Sequence, residues 1–283
     1  FIDKTPPIES NYSKSSLNKS IIERWLCRIK MYIIKFMIIK KTLSKLKGLK
    51  YRFDLLEECD RLKKTGKSLP KNYKKLIFKS PAKYDDFINI LCFIDNREET
   101  NLIDVGANEG VFSKDFLNFF PKTKQIILFE PLKHLNEKIK KNLEGFNDYQ
   151  IFNKGVGEKE EIKIFKYDKE NTSLASFKDY SDEVNTHYKK KSEIIEKIEI
   201  MKLDDLDFKF HNQSVLKIDV QGLEVEVLKG ALNSLKIFDL IIIECSFVKE
   251  YLDSEPSFSD IVELLKKNDF YPIIFQDYGK TIS

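Results

Sequence analysis

The spacing of apolar positions changes character along the chain. Residues 21–47, IIERWLCRIKMYIIKFMIIKKTLSKLK, run without Pro or Gly and predict a helix. Its longest apolar runs are MYII and FMII, and Arg28, Lys30 and Lys35 interrupt them. A membrane span needs roughly 20 mostly apolar residues and a signal-peptide core about 7–15, so the segment fits neither. At about 100° per residue Arg24, Arg28 and Lys35 share a face while Lys30 falls nearly opposite, so the amphipathicity is imperfect. Residues 48–83 hold Gly48, Gly66, Pro70 and Pro81 and read as short helices and a linker. DDFINILCFI (85–94) reads as a helix.

From residue 101 the pattern becomes strand, glycine turn, helix, strand. NLIDV (101–105) leads into GANEG, then into a helical VFSKDFLNFF (111–120). QIILFE (125–130), a helix over 132–143 and YQIF (149–152) follow. Further on, 195–206 predicts a strand and a turn at Asp204 and Asp205, where a capping role is favoured. VLKIDV (215–220) predicts a buried strand, EVEVLKGALNSL (224–235) a helix and FDLIIIE (238–244) another strand. A helix over 257–269, with Ser257 or Ser259 as its cap, and a strand opening at FYPIIF (270–275) complete the series. Strands alternating with helices of this length predict an α/β fold, a Rossmann-like parallel sheet with helices on both faces. Residues 178–197 read as a polar excursion and NKGV (153–156) as a turn.

The chemistry of the first turn narrows the ligand. Gly106 allows a tight exit from the strand, and the helix that follows presents free N–H groups. Glu130, at the tip of the neighbouring strand, can accept two hydrogen bonds from a ribose diol. The dinucleotide fingerprint G-x-G-x-x-G is absent: Asn108 replaces the second glycine, and Gly110 closes a G-x-x-x-G. Asp104 would repel a pyrophosphate but suits an ammonium group. S-adenosylmethionine has the diol and the ammonium without a phosphate.

DVGANEGVFS (104–113), FEP (129–131), VLKIDVQGLEVEVLKGA (215–231) and LIIIE (240–244) resemble the FkbM family of S-adenosylmethionine-dependent methyltransferases, over roughly residues 85–275. The resemblance implies a class I methyltransferase sheet and O-methylation of hydroxyls on sugars, polyketides and related metabolites. It adds Pro131 to the cofactor site, brings Asn153 to Val156 close to the adenine and places Ser173 near the pocket. Many members carry Glu where this chain has Gln221.

Lys217 and Asp219 lie on the same side of an otherwise apolar strand. Asp219 is the first candidate for the base that takes the acceptor proton, and Glu244 the second; Lys217 would orient Asp219 or the acceptor. Gln221 and Glu224 fall on the acceptor side. No fixed ligand spacing calls for a metal, and none is expected to be required. Three alternatives stay open: a nucleotide-binding oxidoreductase, a nucleic-acid methyltransferase and a non-catalytic binding protein. The missing second glycine weighs against the first. The absence of an Asn/Asp-Pro-Pro-Tyr/Phe motif and of a basic run in the body weighs against the second, and no nucleic-acid partner is expected.

Composition adds limits. The 283 residues are 42% hydrophobic, enough for a packed core, and ten Gly with eight Pro exclude a collagen-like chain. Four Cys without a close pair exclude a zinc ribbon or disulfide scaffold and fit a reducing, cytoplasmic setting. Residues 1–100 carry 23 Lys/Arg against 12 Asp/Glu, and the remainder 26 against 33. This contrast predicts a basic helical segment and linker over 1–84 and a methyltransferase domain over 85–283. The chain opens on Phe1 and stops at Ser283, too soon to return as a further antiparallel strand. A cut N-terminus and an incomplete C-terminal strand are therefore expected.

The basic segment 21–47, with Trp25, Phe36 and eight Lys/Arg against one Glu, is expected to contact an anionic membrane peripherally. Each basic residue at an anionic leaflet contributes roughly 1 kcal/mol. Sedimentation with anionic liposomes should show binding that weakens with salt and disappears on deleting residues 1–50. A full chain that ignores the liposomes at low salt would assign the helix to protein packing.

Overall fold

The structure is a computed structural model and describes residues 48–79, 81–168, 171–178, 194–210, 212–245 and 257–274. The basic segment 21–47 lies outside the described residues, as does the excursion over 179–193. Among the described residues no helix is long and apolar enough to cross a membrane. The chain divides into two compact units, Phe1–Asp54 and Leu55–Ser283. Of the first, only 48–54 is described, and it is helical. The second begins well before the expected boundary at 85, because Leu55, Cys59, Leu62, Tyr73 and Ile77 bury their side chains.

The central sheet contains five parallel strands in the order β3-β2-β1-β8-β9. They are β1 (Thr100–Val105), β2 (Thr123–Phe129), β3 (Tyr149–Phe152), β8 (Gln213–Ile218) and β9 (Leu240–Ile243). This is a Rossmann-like sheet. Every residue of β1 is buried, the polar Thr100, Asn101 and Asp104 included. Helices Pro81–Phe93 and Val111–Phe119 contribute an aromatic stack in which Phe87 lies 5.1 Å from both Phe112 and Phe119. The chain runs from β1 to β2 on one side, whereas β8 flanks β1 on the other. The strand order therefore reverses at β1, and a crevice opens at its C-terminal end.

A second sheet was not anticipated. It has the order β4-β7-β5-β6, formed by β4 (Gly155–Val156), β5 (Glu161–Asp168), β6 (Asn171–Ser176) and β7 (Ile194–Met201). β5 and β7 pair antiparallel from Glu161↔Ile200 to Tyr167↔Ile194. Their inner face buries Phe165, Tyr167, Ile198 and Ile200 against Leu132 and Leu135. The turn expected at 153–156 is thus the start of this sheet.

Two other expectations change. The helix expected over 224–235 stops at Lys229. Gly230 packs on the Gly157 backbone, where any Cβ would collide with the Gly157 carbonyl. The Asp204 carboxylate then takes the N–H groups of Asn233 and Ser234, which makes it the cap expected from sequence. The strand expected at 270–275 is not formed over 270–274: these residues join no ladder among the described residues, and Tyr271, Ile273 and Ile274 are exposed.

Candidate active site at the sheet edge

Backbone bonds extend the ladders past the strand ends and bring the candidate residues to one edge. Gly106 N–H donates to Phe129 O (3.0 Å), Glu130 N–H to Phe152 O (3.0 Å), Asp219 N–H to Val105 O (3.0 Å) and Glu244 N–H to Ile218 O (3.0 Å). Glu130, Asp219 and Glu244 therefore sit at the C-terminal tips of β2, β8 and β9. A pocket opens between Glu130 and Asp219; Glu244 stands at the same edge of the sheet but does not line the pocket. Of the expected residues, Gly106, Asn108, Glu130, Pro131, Val156, Asp219 and Gln221 line it.

Glu130 is only 5% exposed. Its Oε2 accepts the Asn108 N–H (2.7 Å) and its Oε1 accepts the Leu132 N–H (2.9 Å). Burial pushes its carboxyl up to about 7, against the lowering effect of those two donors. Gly106 has a φ of 77°, and a Cβ there would collide with the Asp219 carbonyl. The glycine is therefore demanded by the neighbouring strand's backbone, and the bare turn faces the pocket as a consequence. The second sheet supplies the opposite wall, Phe165, Ala175 and Phe177, with the Phe165 and Phe177 rings 4.4 Å apart. Lys154 falls in the stretch expected near the adenine, and Ala175 and Phe177 fall in the segment around Ser173 expected near the pocket, but none was singled out, and Phe165 was missed. The alternation in EIKIF signalled a strand, but nothing local revealed which cavity it would face.

Other expected cofactor residues take structural roles. Asp104 is completely buried and does not line the pocket. Ser113 Oγ donates to its Oδ2 (2.7 Å), and Lys217 Nζ lies 3.1 Å from its Oδ1 as an ion pair. Gly110 faces Ile139, which leaves no room for a side chain. Asn153 Nδ2 donates to Glu130 O (3.0 Å) and Asn136 Oδ1 (2.9 Å), tying the end of β2 to the next helix. Ser173 lies on β6, and its side chain is outside what is described.

On the acceptor side, Lys217 is a buried strut. Its Nζ donates to Gly106 O (2.7 Å) and stands 3.5 Å from Asp219 Oδ2. Burial opposes its charge, yet Asp104 and Asp219 outweigh it and the lysine pKa is raised. Lys217 can position Asp219 but is walled off from an acceptor. Asp219 remains 42% exposed at its side chain. Burial would lift its pKa, but Lys217, Glu244 and Gln221 prevail and hold it below the ordinary carboxylate value. Gln221 Nε2 donates to Asp219 Oδ1 (2.9 Å) and Glu244 Oε2 (2.7 Å). Glu224 does not line the pocket: it accepts the Val220 N–H (3.2 Å) and the Gly222 N–H (3.1 Å), closing the turn ahead of its helix. Among the described residues no group of three or more His, Cys, Asp or Glu could hold a metal ion.

Lys217→Met keeps the length of the strut and leaves Asp104 as an uncompensated buried charge. Urea unfolding should show a loss of about 3–5 kcal/mol. Stability within about 1 kcal/mol of wild type would mean that Asp104 is satisfied without the lysine.

No curated protein matches the chain. A crystal structure of methyltransferase FkbM from Methylobacillus flagellatus KT matches with 15% identity and a TM-score of 0.34, over 50% of this chain and 32% of that one. The chain therefore spans about a third of that relative's length. The sequence model of the methyltransferase FkbM domain matches residues 104–272, which include the end of β1, Glu130, Asp219 and Glu244. With more than half of its length matched, this chain belongs to the FkbM methyltransferase domain family.

Proposed function

We propose that this chain is an S-adenosylmethionine-dependent methyltransferase that modifies a hydroxyl on a sugar, glycan or related small metabolite. The observation that carries this reading is the buried Glu130 at the pocket, beside the bare Gly106 turn. Each Glu130 oxygen accepts one backbone hydrogen bond, and a carboxylate oxygen can accept two. One acceptor position on each oxygen can therefore serve a ribose diol. Val156, Phe165 and Phe177 offer an apolar wall for a flat base. The donor set thus fits the methyl donor, with Glu130 on the ribose and the second sheet beside the adenine. S-adenosylmethionine supplies an electrophilic methyl whose carbon–sulfur electron pair leaves with sulfur as the new carbon–oxygen bond forms.

The chain's own residues then have two tasks. The pocket holds the acceptor oxygen in line, and positioning of this kind is worth roughly 7–11 kcal/mol. Asp219, at the pocket and held ionised, accepts the hydroxyl proton as the methyl moves. Its low basicity rules out full deprotonation of an alcohol beforehand. Glu244, joined to it through Gln221, is the second acceptor. The basic segment 21–47 would keep the enzyme near membrane-borne acceptors on the cytoplasmic side.

S-adenosylhomocysteine should bind to the full chain and raise its thermal midpoint, whereas NAD should not. The Glu130 pKa is raised from 4.5 to about 7, so the folded chain holds this proton more tightly than the unfolded chain. Its contribution to stability is present below pH 4.5 and lost as pH rises through about 7. The diol needs the ionised form. Calorimetry should therefore show affinity rising between pH 6 and pH 8, and Glu130→Gln should be weaker and flat across that range. An equal pH response in the variant would remove Glu130 from the diol.

Incubation with labelled S-adenosylmethionine and pools of sugars, lipid-linked glycans and small hydroxylated metabolites tests the acceptor. With an acceptor in hand, Asp219→Asn should reduce turnover about 10²–10⁴-fold and leave S-adenosylhomocysteine affinity unchanged. Undiminished turnover would pass the proton to Glu244 or to solvent.

A further inference from the structure

Gln221 is in an unusual position. Its φ is 55°, a left-handed backbone that a long side chain seldom adopts. Its carbonyl accepts a hydrogen bond from Ser176 Oγ (2.8 Å), which ties it to β6 of the second sheet. The fixed backbone aims the amide between two carboxylates on different strands, 2.9 Å from Asp219 Oδ1 and 2.7 Å from Glu244 Oε2. Two ionised carboxylates this close repel one another, and both the hydrogen bond of the Glu244 side chain to Asp219 and the Gln221 amide ease the charge on Asp219. The amide supplies two N–H donors and no charge, so each carboxylate loses an acceptor position and gains a fixed direction.

We infer that Gln221 is a positioning residue that clips Asp219 and Glu244 into one proton-accepting pair at the mouth of the pocket. The inference deepens the methyl-transfer reading and rests on it. The clip joins three elements: the Asp219 tip of β8, the Glu244 tip of β9 and, through Ser176, the second sheet. A proton leaving an acceptor hydroxyl arrives at Asp219 and is shared with Glu244, and the amide keeps both oxygens facing the same donor. Among the described residues, the titratable groups around the pair are Lys217 of β8 and its partner Asp104 of β1, the buried Glu224 carboxyl beside Asp219 and the Cys245 thiol beside Glu244. Lys217 is already engaged by Asp104, which leaves Gln221 as the neutral mediator between the two exposed carboxylates.

Backbone preference alone would favour a different residue. Asn adopts the left-handed region more readily than Gln, but it is one methylene too short to span both carboxylates. Gln221→Asn therefore separates the two explanations. Carbon-13 titration of the side-chain carboxyls in the full chain, with resonances assigned through Asp219→Asn and Glu244→Gln, provides a readout that needs no acceptor. In wild type, Asp219 and Glu244 should titrate as a coupled pair. In Gln221→Asn the Asp219 midpoint should rise toward the ordinary carboxylate range, and in Gln221→Glu it should rise further. Each variant should still bind S-adenosylhomocysteine, which shows that the pocket is formed, although Gln221 lines that pocket and the affinity itself can change. Carboxyls that titrate in Gln221→Asn as they do in wild type would overturn the clip.

A measurement on wild type guards against variants that do not fold. The Gln221 side-chain N–H resonances should move with pH in step with the two carboxyls, and resonances that stay still would also overturn the proposal. Failure of the methyl-transfer reading has a separate signature: wild type would not bind S-adenosylhomocysteine, while the coupled titration would persist.

Discussion

The buried ion pair between Asp104 and Lys217 is the constraint on which the rest of the site depends. It joins two neighbouring strands of the central sheet just below their C-terminal ends, where the Gly106 turn begins. Removing two charges from water is expensive, and it is tolerated only where the remaining polar groups are also engaged. Here Ser113 donates to the carboxylate, while the lysine reaches the Gly106 carbonyl and Asp219. One cation thus fixes the strand register, the path of the turn and the orientation of the exposed carboxylate. A hydrophobic pair could fill the same space but could not hold Gly106 and Asp219 at hydrogen-bonding distance from one nitrogen.

Around this pair the fold separates two electrostatic environments. Glu130, nearly sealed from solvent, receives backbone N–H groups, and its burial lifts its carboxyl into the neutral range. Asp219 is more open and stays ionised because Lys217, Glu244 and Gln221 all favour the charge. Two carboxyls on adjoining parts of one pocket therefore have different proton affinities. That division is what a site needs if one group is to hold a ligand and the other to receive a proton.

The second sheet converts an open strand edge into a walled pocket. Its inner face packs on Leu132 and Leu135, immediately after the Glu130-Pro131 turn, so the wall and the carboxylate are positioned by the same apolar cluster. Close backbone contact at Gly230 and Gly157 anchors the sheet's approach to the helix that follows β8. Ser176 completes the connection by holding the Gln221 carbonyl.

The sequence by itself determined the central architecture and the chemical type of the site. Apolar runs of strand length, each followed by helical spacing, specify a parallel sheet because strands buried on both faces are predominantly apolar, with charges only where they are paired. Gly106, Glu130, Asp219 and Glu244 were legible because each stands where such a run ends, and run ends gather at one edge of a parallel sheet. Only the tertiary structure decided the partners. Asp104, Asn153 and Glu224 carry polar groups suited to a ligand, yet each is taken up by a neighbour distant in sequence or by the backbone of its own turn. The second sheet was hidden although EIKIF and 195–206 carry strand signals, because β5 pairs with β7 across the excursion at 179–193 and a local period does not reveal so distant a partner. Gln221 illustrates the same limit: its residue type shows an amide, but only the convergence of β8 and β9 places two carboxylates within its reach.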